Sequence, residues 1–311
     1  MSKPTPKQFD NLLQMFSAFP DEQAAIDHLT AMRWANGKFC PLCGNAEAAR
    51  IGTLKGTNTH KCYACRKRFS IKVGTIFQDT KLPLRTWFAA IWMVTNHPKG
   101  IASTTLAKDL GITQKSAWFV LHRLRHAALT KSFNAPLSGE VEVDETFVGG
   151  KEKNKHAWQR TGGKQGGAGK VVVMGMIERG GEVRAGVVED TKARTLQPIV
   201  RANVAPGTNV YTDEASGYRG LQGEYHHHTV NHGAGEYVRH YHAHTNSIES
   251  VWALLKRQIV GIHHWVSPKH LNRYVTEMTF RLNRRESSLC ERVNGLLSQV
   301  EGPLPYKVLI A

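Results

Sequence analysis

Apolar side chains recur at helical spacing near the start of the chain, at Phe9, Leu12, Leu13 and Phe16 and again at Ala25, Ile26, Leu29 and Met32. The stretch "FPDEQ" between the two runs supplies a break and an N-cap, so two helices are predicted as a lead-in over residues 1–33. From Trp34 to Phe77 the period shortens, and "THKCYA" and "RKRFSIKVGT" alternate as small strands do. Helical spacing returns at Leu84. "STTLAKDLGITQKSAWFVLHRLRHAAL" predicts a short helix to Leu110, a turn at Gly111, Ile112 facing inward and a second helix from Gln114. That is the outline of a helix-turn-helix over residues 80–133, which would offer Gln114, Lys115 and Ser116 to a DNA groove and set Arg123 and Arg125 near the backbone. A three-helix packing unit without DNA contacts has the same pattern.

After "SFNAPLSG", which has the composition of a linker, the texture becomes mixed α/β. Strand-like runs at "VEVDETFVGG", "KVVVMGMIE", "EVRAGVVED" and "NVYTDEA" precede helical patterns over 247–259 and 268–284, predicting one domain over 138–290 and a tail over 291–311. "TGGKQGGAGK" reads as an exposed hairpin loop. There are no internal repeats.

No apolar run approaches the roughly 18 residues of a membrane span, and the first residues have no signal-peptide core, so a soluble, cytoplasmic protein is expected. The 41 Lys and Arg against 25 Asp and Glu leave a formal net charge of +16. Such a surplus suits a polyanionic partner, with nucleic acid first. Four of the five cysteines form two pairs, Cys40 with Cys43 and Cys62 with Cys65, separated by 18 residues. This is the spacing of a structural Zn²⁺ site over residues 34–79, each pair on a knuckle and four thiolates around the metal. Cys290 reads as a packing residue.

The acids need separate treatment. In "VEVDETF" a period of two sends Val141 and Val143 one way and Glu142, Asp144 and Thr146 the other, which by itself describes a strand with one wet face. Asp213 ends a short apolar run in "NVYTDEASGY", where α/β sheets commonly build sites and where a turn-forming Asp is also common. In "HTNSIESVWALLKR", Asn246 and Glu249 have the spacing of a capping box, Ile248, Val251, Trp252, Leu255 and Ile259 form the buried stripe, and Glu249 and Lys256 share a face. One acid on a strand, one at a strand end and one early on a later helix, with 35 residues between the last two, is an arrangement on which a two-metal phosphoryl-transfer site can be built.

These segments and their order resemble the bacterial insertion-sequence transposases of the DDE type that begin with a zinc ribbon, the ISXO2-like group. The resemblance runs from about Trp34 to Arg285, with "HTNSIESVWALLKRQIVGIHHWVSPKHLNRYVTEMTFRLNRR" its most specific part. It implies a ribonuclease-H-like catalytic domain preceded by a zinc ribbon and a helix-turn-helix domain. It also implies cleavage at terminal inverted repeats and joining of the freed 3′-hydroxyls to target DNA. Matched by motif, Asp144, Asp213 and Glu249 would be catalytic and hold Mg²⁺ or Mn²⁺, with Asn246 the alternative third ligand. Lys256 would touch a phosphate near the cleaved end, with Arg257 beside it. Cutting two ends together implies at least a dimer on double-stranded DNA.

Seven of the sixteen histidines fall in "EYHHHTVNHGAGEYVRHYHAHT". Their irregular spacing argues against a metal site of their own. His228, His232 and His244 are expected to donate to DNA phosphates or to the acids, and His263 and His264 carry no assigned role. Arg281, Arg284 and Arg285 could line a DNA channel or form a solvated face, and Glu277 could pair with one of them. Two other readings stay open: a DNA-binding regulator without catalysis, and a ribonuclease-H-like nuclease that does not join strands.

Overall fold

The computed structural model describes residues 7–129, 135–150, 156, 158, 160, 167, 169–230 and 244–311. The chain forms two compact units, one from Met1–Thr130 with Arg284–Ala311 and one from Lys131–Asn283. No helix among the described residues is long and apolar enough to cross a membrane.

In the first unit α1 (Leu12–Ala18) and α2 (Glu22–Arg33) begin at Asn11 and Asp21, whose side chains accept from Gln14 N at 2.9 Å and Ala24 N at 2.8 Å. Each cap satisfies an amide that the first turn leaves without a partner. Phe9, Met15, Phe19, Ala25 and Leu29 are buried, whereas Leu13, expected in the apolar stripe, is 78% exposed. Three short antiparallel strands follow, β1 (Ile51–Thr53), β2 (Thr59–Cys62) and β3 (Arg68–Ser70), in that spatial order. Then come α3 (Leu84–Asn96), α4 (Ser103–Leu110) and α5 (Gln114–Ala127). Gly111 closes α4 at φ 63°, a left-handed conformation that glycine adopts without a Cβ penalty, and the Thr113 side chain caps α5.

The second unit is built on a five-stranded sheet. Its strands are β4 (Glu140–Val148), β5 (Val171–Glu178), β6 (Val183–Val188), β7 (Asn209–Asp213) and β8 (His226–Val230), in the spatial order β6-β5-β4-β7-β8. Strands β4, β5 and β6 pair antiparallel, while β4–β7 and β7–β8 are parallel. Helix α6 (Ala193–Asn203) lies between β6 and β7 in sequence, and α7 (Asn246–Gln258) and α8 (Pro268–Asn283) follow β8. Alternation divides the sheet into two faces. Val141, Val143, Met174, Met176 and Val210 pack with Leu196 and Val200 of α6, while Val173 and Ile177 pack with Ile248, Val251, Trp252 and Leu255 of α7 and Leu271, Val275 and Met278 of α8. With both faces covered, β5 can be apolar along nearly its whole length. Leu137, in the stretch expected to be a linker, is 2% exposed and bridges to Val204, so the end of that stretch belongs to this unit.

The chain then returns to the first unit with α9 (Leu289–Leu297), opened by a Ser288–Glu291 capping box, and α10 (Tyr306–Ile310). Helix α9 packs on α3, burying Cys290, Val293, Leu296 and Leu297. The expected tail over 291–311 is therefore a packed part of the first unit.

Candidate active site

The register of the parallel pair β4–β7 brings the first two acids together. Glu140 lies opposite Asn209, Val141 opposite Val210 and Glu142 opposite Tyr211. Two residues further along both strands, on the same face, are Asp144 and Asp213. Asp144 also lies opposite Gly175 of β5. Glu249, in the first turn of α7, completes the group from the helix packed over that face. Burial and then the negative charges of Asp213 and Glu249 raise the Asp144 carboxyl to about 6, so the three acids sense one another. Glu145, on the opposite face, is pushed up to about 7 by burial and by the charges of Asp213 and Asp144.

Trp252 fixes Asp144 from above, its indole Nε1 donating to Oδ2 at 2.9 Å. It can lie that low because Gly175 is bare. A Cβ there would stand 2.5 Å from Trp252 Cη2, 2.8 Å from Cζ2 and 3.1 Å from Ile248 Cδ1. Gly175→Ala is therefore expected to destabilise the protein by about 1–3 kcal/mol as the indole is forced off the sheet. Thermal unfolding checks this, and a change below about 0.5 kcal/mol would mean that the helix gives way freely.

Asp213 accepts from Ala215 N at 3.0 Å, which turns the chain at the strand end. Asn246 is the first residue of α7, not its cap; the N-cap is Thr245, without a side-chain capping bond. The expected Asn246–Glu249 capping box is thus absent, and Glu249 instead lies 3.4 Å from the Thr245 hydroxyl, which donates to it. The larger correction concerns Glu142. It is fully buried, not on a wet strand face, and holds the α7 N-terminus through Ser247 N at 2.9 Å and Ile248 N at 3.0 Å. The period-two pattern reveals its side of the strand but not that a helix covers it.

The cysteine site has different geometry. Cys40 Sγ and Cys65 Sγ are 3.9 Å apart, and Cys43 Sγ and Cys62 Sγ 3.8 Å. A tetrahedron with Zn–S bonds of about 2.3 Å has edges of about 3.8 Å, so the four sulfurs fit zinc. Among the described residues these cysteines are the only three or more His, Cys, Asp or Glu whose ligand atoms all lie within 4.8 Å of one another. The carboxylate oxygens of Asp144, Asp213 and Glu249 do not all lie within that distance of one another. Their donor set, carboxylate oxygen only, fits a hard divalent cation such as Mg²⁺ or Mn²⁺.

Residues 136–283 match the ISXO2-like transposase domain, and residues 20–68 match the transposase zinc-ribbon domain. The chain therefore carries an ISXO2-like transposase domain and a transposase zinc-ribbon domain. It is 27% identical over 277 residues to an uncharacterized protein in transposable element ISH50 of Halobacterium salinarum, covering 85% of this chain and 91% of that one. It is also 29% identical over 119 residues to an uncharacterized transposase-like protein of Haemophilus influenzae, covering 38% of this chain and 93% of the relative. No solved structure matches it at a significant level.

The other residues singled out in the sequence divide sharply. Lys256 and Arg257 are exposed in the last turn of α7, and Gln114 and Lys115 are exposed in the first turn of α5, where Gln114 Nε2 donates to Ser103 Oγ at 2.9 Å. Arg123 is not available to a DNA backbone. It is 7% exposed and donates to the carbonyls of Ile76 at 2.7 Å, Gln78 at 2.9 Å and Leu304 at 3.3 Å. Arg125 is likewise buried, at 1%. Arg281 does not line a channel either, being buried against Glu277 and donating to Gln258 Oε1 at 2.9 Å. Arg284 belongs to the first unit, its guanidinium close to Gly295, and Arg285 is 3.3 Å from Glu286. His228 stacks on Tyr211 with centroids 5.2 Å apart, and His244 Nδ1 lies 3.2 Å from Glu142. His232 and most of "TGGKQGGAGK" lie outside the described residues.

The raised pKa of Asp144 has a testable consequence. A carboxyl raised on folding opposes folding once ionised, a penalty absent below the unfolded value near 4 and fully present above about 6. Without added Mg²⁺ or Mn²⁺, Asp144→Asn is expected to raise the melting temperature at pH 8 by a few degrees, on the order of 1–3 kcal/mol, and to leave it nearly unchanged at pH 4. Equal shifts at both pH values would show that ionisation is not the cause.

Proposed function

We propose that this protein cleaves DNA at the ends of an insertion sequence and joins the freed 3′-hydroxyls to target DNA by direct transesterification, without a covalent protein intermediate. The observation that carries the reading is the row Asp144–Asp213 on adjacent parallel strands, with Glu249 brought over it by α7. The strand order β6-β5-β4-β7-β8, antiparallel on one side of β4 and parallel on the other, supports a ribonuclease-H-like catalytic domain. Asp144, Asp213 and Glu249 would hold Mg²⁺ or Mn²⁺, with Asn246 the alternative to Glu249. Divalent ions bound there would activate the attacking hydroxyl and steady the leaving oxygen. The protein's own part is to hold the acids rigidly, through Trp252 on Asp144 and the Ala215 amide on Asp213, and to place Lys256 and Arg257 beyond Glu249 for phosphates.

DNA recognition is assigned to the first unit. Helices α3–α5 would serve as the helix-turn-helix domain, with Gln114 and Lys115 facing the groove. On the ribbon, Arg66, Lys67 and Arg68 are exposed around the second knuckle and supply charge for phosphates. Cleavage of two ends together calls for at least a dimer on DNA.

A strand-transfer assay tests the proposal, with labelled duplexes from the flanks of the gene, Mg²⁺ or Mn²⁺, and wild type beside Asp144→Asn. Joined product from the wild type alone is the expected result. Cleaved ends that are never joined would mark a nuclease, and binding without cleavage by either protein would mark a DNA-binding regulator.

A further inference from the structure

We propose that Glu142 is a positioning residue of this site: its buried carboxylate caps α7 from the strand below and thereby sets Glu249 relative to Asp144. The proposal rests on the reading of these two acids as metal ligands.

The first amides of a helix have no partner within it, and a side chain at the N-cap normally accepts from the second or third residue. In α7 the N-cap Thr245 makes no such bond. Ser247 and Ile248, the second and third residues, donate instead to Glu142 Oε2, at 2.9 and 3.0 Å, and Ser247 Oγ donates to Oε1 at 3.0 Å. Oε1 also accepts from Arg179, whose Nε donates to it at 2.8 Å. Arg179 also donates from Nη2 to the His244 carbonyl at 2.9 Å and from Nη1 to Glu140 Oε2 at 3.0 Å, and its guanidinium lies over the Tyr211 ring at 4.3 Å. Tyr211 in turn donates to Glu140 Oε1 at 3.1 Å.

A carboxylate with no solvent exposure is costly to bury unless its oxygens are occupied, and here four donors converge on them. A serine or aspartate at position 245 would cap the helix from within and save that cost. Such a local cap would add no link between the start of α7 and the sheet. Glu142 ties it down where it matters, since Glu142 stands two residues before Asp144 on the same face and the amides it holds belong to the two residues immediately before Glu249. The two acids are thus linked by one strand step, one carboxylate and one helix step. Partners that orient ligands in this way typically change metal affinity about 10–100-fold when removed.

The experiment measures Mn²⁺ binding to the full chain for wild type, Asp144→Asn, Glu142→Ala and Glu142→Gln, together with backbone hydrogen exchange over 245–252. Binding lost in Asp144→Asn identifies the site. Glu142→Ala is expected to weaken it about 10–100-fold and to expose the Ser247 and Ile248 amides, with exchange over β5 unchanged. Glu142→Gln, which keeps one acceptor oxygen, should recover part of both. If wild type and both Glu142 variants bind equally while Asp144→Asn does not, the positioning role is overturned and the metal reading stands. If wild type binds no Mn²⁺ sensitive to Asp144, both fall. Loss of melting temperature in the Glu142 variants with unchanged affinity would mark a purely structural ion pair and overturn the proposal as well.

Discussion

Asp144→Asn is expected to reduce strand cleavage and joining by about a thousandfold or more while leaving affinity for end DNA within about twofold. The substitution preserves shape and can keep an oxygen for the Trp252 indole, so its effect isolates one negative charge. That charge is the central one, since Asp144 has Asp213 on the neighbouring strand and Glu249 on the helix above. Asp213→Asn and Glu249→Gln should each cost nearly as much, and a double variant little more, because groups acting as one unit are not additive. Single-turnover cleavage of a labelled end, with DNA binding measured on the same preparations, provides the check. Wild-type rates in Asp144→Asn would dismiss this strand as a catalytic element.

Loss of zinc is the second large effect. Cys62→Ser is expected to remove the bound zinc, unfold the ribbon and abolish specific binding to end DNA. The ribbon has three strands of three or four residues, and its core is little more than Cys40, Ile51, Cys62 and Phe69 with Trp34, Cys65 and Val73 around them. So small a core cannot hold itself, and in comparable zinc-dependent folds the metal supplies about 10–16 kcal/mol. The backbone amides of Cys65 and Ala64 favour the Cys62 thiolate and lower its pKa, so this cysteine ionises readily for the metal. Zinc content and limited proteolysis over residues 34–79 read the result. A variant with full zinc and an intact ribbon would show that three thiolates suffice.

Charge carried on a short motif was legible, and charge whose meaning depends on a distant neighbour was not. The cysteine pairs, Asp144, Asp213 and Glu249 stand out by spacing, and strand alternation correctly put Glu142 and Asp144 on one face. Arg123 looks in sequence like an arginine for DNA, yet it satisfies backbone carbonyls far away in the chain, whereas the pairing of Arg281 with Glu277 one turn before it was one of the meanings the sequence left open. Nothing local marks Arg123 for its role, because long stems bury as readily as they extend. The expected tail over 291–311 is a similar case: α9 has an ordinary amphipathic pattern, and nothing local says that its apolar face belongs on α3.

What the sequence by itself determined was therefore the inventory: a zinc ribbon, a helical stretch, a mixed α/β unit, three acids in order and a strongly basic balance. Periodicity and ligand spacing are local properties, and each is written within a few neighbouring residues. Only the tertiary structure decided that Asp144 and Asp213 share a row, that bare Gly175 lets Trp252 reach the first acid, and that Glu142 caps the helix of the third. Those facts depend on strand register and on which helix covers which face, and register is set by the packing of the whole sheet rather than by any one strand.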